Sequence, residues 1–158
     1  MIAQQQDIRN RRQISNNLDP VKLDPFIREV EDAQVRPLLG AKLYKDIELP
    51  LVDVLISMEK EGGYYNGDNN YCNGLKEAIA YLVYARMLPS QQMTVTAYGA
   101  VQKTGEYSSK ADEATLNREV QHANQLGEQY LQSCVNYLRW RNLIPCGRTV
   151  RRKAKITA

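Results

Sequence analysis

A single histidine, three cysteines and no long apolar run leave little room for several common functions in these 158 residues. His122 stands alone, without a Cys or carboxylate partner close by in sequence, and reads as a packing or surface residue rather than a ligand or base. Cys72, Cys134 and Cys146 do not have the spacing of a metal site. Their number is odd, and nothing marks an oxidising compartment. No apolar stretch approaches the roughly 20 residues that cross a bilayer, so no membrane partner is expected. The polar, Gln/Arg/Asn-rich stretch Met1 to Asn17 resembles neither a signal peptide nor a transit sequence, and synthesis in the cytoplasm follows as the expectation.

The usual catalytic signatures are missing too. Gly62-Gly63 is not followed by the Lys-Ser/Thr of a phosphate loop, and no Gly-x-Ser-x-Gly elbow occurs. Asp68-Asn69-Asn70 matches a fragment of a calcium loop, but the later Gly and bidentate Glu do not fall in place. A turn with packed tyrosines is the better account of Gly62 to Asn73. No helix-turn-helix or zinc finger is evident. The expectation is a protein with no catalytic residues, no metal and no cofactor.

What is present is helix. From Ser109 to about Asn142 the chain has no proline. Leu116, Val120, Ala123, Gly127, Tyr130, Cys134 and Leu138 recur at steps of three and four, which places them on one helical face. A helix of that span is about 45 Å long, well above the usual globular length. Ala123 and Gly127 would let a second backbone come close. The chain then ends in a stretch with Arg148, Arg151, Arg152, Lys153 and Lys155 and no acid. These account for more than the whole net charge of +3. A near-neutral body with a basic tail suits docking on an acidic surface or on nucleic acid; a loose terminus without a role is the alternative.

Along the rest of the chain, residues 1–22 read as a flexible N-terminal arm with a small basic cluster, Arg9, Arg11 and Arg12. Asp24-Pro25 starts a helix that runs to Pro37, with Glu29, Glu31 and Asp32 favoured by the dipole at its start. Further helices are predicted over about Leu39 to Ile47 and Leu51 to Lys60. Leu75 to Met87 is apolar nearly all round and predicts the central, most buried helix, stopped by Pro89. Thr94 to Thr104 is β-branched, alternating and interrupted by Gly99, the pattern of an extended arm or small hairpin. An isolated hairpin is marginally stable, so it needs its own domain or a neighbouring subunit to lie on. The fold class is mainly α: a small helical bundle with one long C-terminal helix and an extended arm or β-hairpin.

Several short blocks resemble a known group. Phe26-Ile27-Arg28-Glu29-Val30-Glu31, Pro37-Leu38-Leu39-Gly40 and Leu43-Tyr44 are similar to the first helices of head–tail connector (adaptor, or neck-ring) proteins of tailed bacteriophages, of the Bacteroides-phage or crAss-like type. Gly74-Leu75-Lys76, Ala80-Tyr81, Tyr84-Ala85-Arg86 and the block Thr94 to Lys103 continue the likeness, which spans roughly Leu23 to Arg141. The resemblance implies a structural virion protein, made in the host bacterial cytoplasm. It would form a ring of about twelve copies at the portal vertex, joining head to tail and extending the DNA channel. The implied partners are the portal protein, neighbouring copies of the chain, a tail or second neck-ring protein, and the passing genomic DNA.

On that reading residues 23–146 form the connector domain and residues 147–158 the basic tail. Arg148, Arg151, Arg152, Lys153 and Lys155 dock on the portal or another partner. Thr94, Val95, Thr96, Tyr98, Gly99, Val101 and Lys103 belong to an arm between subunits. Two readings of other classes stand beside it. A DNA-associated helical protein would grip phosphates with its basic tail and with Arg9, Arg11 and Arg12, and would bind less tightly as salt rises. An enzyme would need a deep pocket with convergent polar groups, for which the sequence offers no sign.

Overall fold

The computed structural model describes residues 1–12, 23–48, 59–91, 93–96, 99–102 and 113–144. Its elements in chain order are α1 (Gln5–Arg11), α2 (Asp24–Val30), a π-helical turn (Glu31–Val35), α3 (Arg36–Leu39) and α4 (Ala41–Glu48), followed by β1 (Gly63–Tyr65) and β2 (Asn70–Cys72). After these come α5 (Leu75–Gln91), β3 (Met93–Thr96), β4 (Gly99–Gln102) and α6 (Glu113–Trp140). The architecture is mainly helical, with α6 packed on α5 and two antiparallel hairpins attached.

Helix α5 is the centre. No position from Leu75 to Leu88 is exposed: apolar side chains fill most of the circumference, and Lys76, Glu77 and Arg86 are half-buried in ion pairs. Helices α1, α2 and α6 all pack against it. It does not stop at Pro89 but runs to Gln91. A proline in the last turn removes one ladder bond without a following turn to disrupt, and the Ser90 hydroxyl donates to the Met87 carbonyl at 2.7 Å.

Helix α6 has 28 residues and is about 42 Å long. Its predicted stripe is buried at Ala123, Gly127, Cys134 and Leu138, joined by Leu131, Val135 and Tyr137. Leu116 and Val120 are only half-buried, and the residues around them are mostly exposed. The first turns of α6 therefore extend past the fully buried core. The helix ends in a Schellman arrangement. Asn142 takes a left-handed backbone (φ 56) and donates to Arg139, while Leu143 donates to Leu138, both at 2.9 Å.

The long segment Asp24 to Leu39 passes through Pro37 where a stop is predicted. Between Glu31 and Val35 the turn widens, and the Arg36 N–H bonds to the Glu31 carbonyl, five residues back. That wide turn shifts the hydrogen-bond ladder immediately before Pro37, so the proline enters a new first turn, where it has no donor to lose. Gly40 (φ 82) closes the segment, its N–H bonded to Arg36 and its carbonyl accepting from Tyr44.

Residues 1–12 correct the expectation of a flexible arm. They form α1, with Ile2, Ala3 and Ile8 buried. A helix of seven residues has no useful periodicity and little stability alone; tertiary contacts hold it, and sequence pattern does not reveal those. The remainder of the predicted arm, residues 13–22, and most of the predicted helix from Leu51 to Lys60 lie outside the described residues. The predicted loop Gly62 to Asn73 is hairpin β1–β2, with Tyr64 opposite Tyr71 and a turn in which Asn66, Gly67 and Asp68 all have positive φ.

Helices α5 and α6 approach closely at Gly127. A Cβ there would sit 2.6 Å from Leu82 Cγ and 3.2 Å from its backbone nitrogen. Gly127→Ala should therefore destabilise the fold by about 1–3 kcal/mol in urea unfolding, although alanine is the better helix former. In a Leu82→Ala background the same change should cost less, because the side-chain clash is gone and only the backbone contact remains.

Candidate assembly surface

The residues predicted to form an arm between subunits divide in two. Thr94, Val95 and Thr96 lie on β3, and Gly99 and Val101 on β4, in an antiparallel hairpin that pairs Thr94 with Val101 and Thr96 with Gly99. Tyr98 and Lys103 lie outside the described residues, as does the whole basic set Arg148, Arg151, Arg152, Lys153 and Lys155. Among the described elements, β3–β4 packs substantially only on itself and on the end of α5 that leads into it. Hairpin β1–β2 differs, because its second strand packs on α6.

The outer face of β1–β2 is aromatic. Tyr64 and Tyr71 meet edge to face with centroids 4.9 Å apart, and they are 65% and 48% exposed. The alternation of a strand sends Tyr65 the other way, where its ring lies 5.2 Å from Tyr137 and 5.4 Å from Trp140 of α6. Trp140 and Leu143, at the end of α6, are also exposed. The loose run of tyrosines in the sequence thus becomes one inward anchor and one outward pair.

Two polar clusters attach the N-terminal segment to the bundle. In the first, the Glu31 carboxylate is almost completely buried. Its Oε1 accepts the backbone N–H groups of Ile2 (2.8 Å) and Ala3 (3.0 Å), and its Oε2 accepts the Tyr44 hydroxyl at 2.5 Å. Burial, and then the neighbouring carboxylate, push the Tyr44 hydroxyl well above its ordinary pKa, which keeps it a donor. A buried carboxylate needs this many donors to offset its lost hydration. Arg36 stacks over the Tyr44 ring at 4.6 Å and pairs with Asp32 at 2.9 Å. These groups, with Met1, Arg28 and Glu48, line a polar cleft of about 350 Å³.

Glu31 was not legible as an anchor from its type alone, because an acid early in a helix fits the dipole equally well. Its spacing did carry a signal: it stands four residues after Ile27 and four before Val35, both buried.

In the second cluster Arg11 reaches Glu61 (2.6 Å), Glu77 (3.0 Å) and Asp7 (3.6 Å), and Lys76 reaches Glu61 (2.5 Å) and Asp7 (3.1 Å). Arg12 lies over the rings of Tyr81 (4.1 Å) and Tyr84 (4.3 Å) and within 3.6 Å of Glu119 on α6. Arg11 and Arg12 are thus engaged within the chain. Burial raises the Glu61 carboxyl, but hydrogen bonds from Lys76 and Arg11 outweigh it and hold the group below its usual pKa.

Two outcomes follow. Glu31→Ala leaves two buried N–H groups and a hydroxyl without their acceptor and should cost about 2–4 kcal/mol in denaturant unfolding, with Tyr44→Phe costing about 1–2 kcal/mol. The Glu61 contribution is present above the ordinary carboxylate range and is lost as pH falls through the depressed folded value. The urea midpoint should therefore drop as pH falls through and below the ordinary carboxylate range, and should drop less in Glu61→Gln.

No curated protein and no solved structure matches the chain. A family model does, over residues 35–143, which takes in α3 to α6, both hairpins and Tyr44, and leaves out α1, α2 and Glu31. The chain belongs to DUF6712, a family of unknown function.

Proposed function

We propose that this protein is a structural subunit of a phage neck, assembled as a ring beneath the portal and serving to join head to tail around the DNA channel. The observation that carries the reading is the β3–β4 hairpin. Among the described residues it packs substantially only on itself and on the end of α5, and a two-stranded sheet needs more than that to be stable in water. A neighbouring subunit would supply the missing surface by lying against the strands. The same stretch, Thr94 to Lys103, carries the most specific part of the sequence likeness to connector proteins.

The first turns of α6 support the reading, since they carry Leu116 and Val120 beyond the fully buried core. Each subunit would present its hairpin to the next in a head-to-tail contact that closes by rotation, and repetition around the ring makes weak contacts collectively strong. The basic residues Arg148, Arg151, Arg152, Lys153 and Lys155 would meet an acidic portal surface. No bond is made or broken in such a role.

Deletion of 148–158 should abolish co-purification with a co-expressed portal protein while leaving the thermal transition of the chain unchanged. Undiminished co-purification would remove the docking role from the tail. Absence of the protein from purified particles, measured by mass spectrometry, would overturn the connector reading as a whole. A gel shift by the isolated protein that weakens steeply with salt would favour a DNA-associated role in its place.

A further inference from the structure

Cys72 ends β2, and Cys134 stands on the buried face of α6. Both are buried and neither is in a disulfide, and their Sγ atoms are 3.6 Å apart although 62 positions separate them in sequence. This is contact distance for two thiols, about 1.5 Å longer than a disulfide bond. The adjoining residues hold the same junction: Ser133 Oγ accepts the Asn73 N–H at 3.0 Å and lies 3.0 Å from Asn73 Oδ1. Gly74, at φ 85, lets the chain turn immediately after Cys72; a Cβ there would meet the backbone of Glu61 at 2.5 Å.

The two thiols are not equivalent. The hydrogen bond from Cys134 favours the Cys72 thiolate and holds Cys72 below its ordinary pKa, with the Gly74 backbone adding to the effect. The same bond, and then burial, push Cys134 well above its ordinary value. Cys72 also stands on the weaker element, since strands of three residues open at lower cost than the middle of a 28-residue helix.

The geometry points to Cys72 and Cys134 as a modification site: a dithiol that a peroxide converts to an intramolecular disulfide, tying hairpin β1–β2 to α6. The Cys72 thiolate attacks one peroxide oxygen, breaking the O–O bond. This gives a sulfenic acid and releases hydroxide, which is protonated to water. The Cys134 sulfur, losing its proton, then attacks the sulfenic sulfur, forming the S–S bond and expelling the second oxygen as water. Two thiols and one peroxide give one disulfide and two waters. The product fixes the strand that carries Tyr71, and through it the paired Tyr64, to the long helix.

The test uses the full chain with Cys146→Ser, so that Cys72 and Cys134 are its only thiols. The folded protein is treated with a few equivalents of hydrogen peroxide, then denatured, alkylated and mapped without reductant. The expected result is a loss of about 2 Da and one crosslinked peptide joining the two cysteines, reversed by a reductant. The oxidised form should melt about 5–10 °C higher than the reduced one. Full alkylation of both cysteines after peroxide, sulfinic acid without a crosslink, or crosslinks only between molecules would overturn the assignment. A crosslink that leaves the melting temperature unchanged would overturn the tie.

Discussion

The close contact of α5 with α6 at Gly127 is the constraint on which the other elements depend. A helix that is apolar all round is stable in water only if it is covered on every side. Much of that cover comes from one long helix that must come close enough to fill the groove, and Gly127 over Leu82 permits this. With α6 seated, β2 has a surface to pack on, Tyr65 has Tyr137 and Trp140, and Cys72 meets Cys134. Helices α1 and α2 close the remaining sides of α5.

The N-terminal segment is held differently. Its apolar contribution is small, Ile2, Ala3 and Ile8, and polar groups set its position. Glu31 takes two backbone donors, Arg11 and Lys76 share Asp7 and Glu61, Arg11 also pairs with Glu77, and Arg12 lies over two tyrosine rings. Hydrogen bonds to a buried charge are directional and costly to break, so a few of them can place a short helix that hydrophobic burial alone would not. The π-helical turn belongs to the same device: it begins at Glu31 and allows Pro37 to follow without ending the segment.

Against this tightly placed body, hairpin β3–β4 packs, among the described elements, substantially only on itself and on the end of α5. The first turns of α6 share that character in a weaker form, with Leu116 and Val120 half-buried where the later stripe is fully buried.

The central helix, the long helix with its small residues and the hairpin around Gly99 were legible in the residue pattern. Periodicity of 3.6 or 2 reports which side chains share a face, and a face with no polar interruption must be buried. The paths through Pro37 and Pro89, helix α1 and the role of Glu31 depended on the folded chain. Each turns on a partner distant in sequence or on a shift of the hydrogen-bond ladder, and local propensity contains neither. Arg11 and Arg12 make the difference plain: as a sequence they are a basic cluster awaiting an acidic partner, and the fold supplies that partner from Glu61, Glu77 and Glu119 of the same chain.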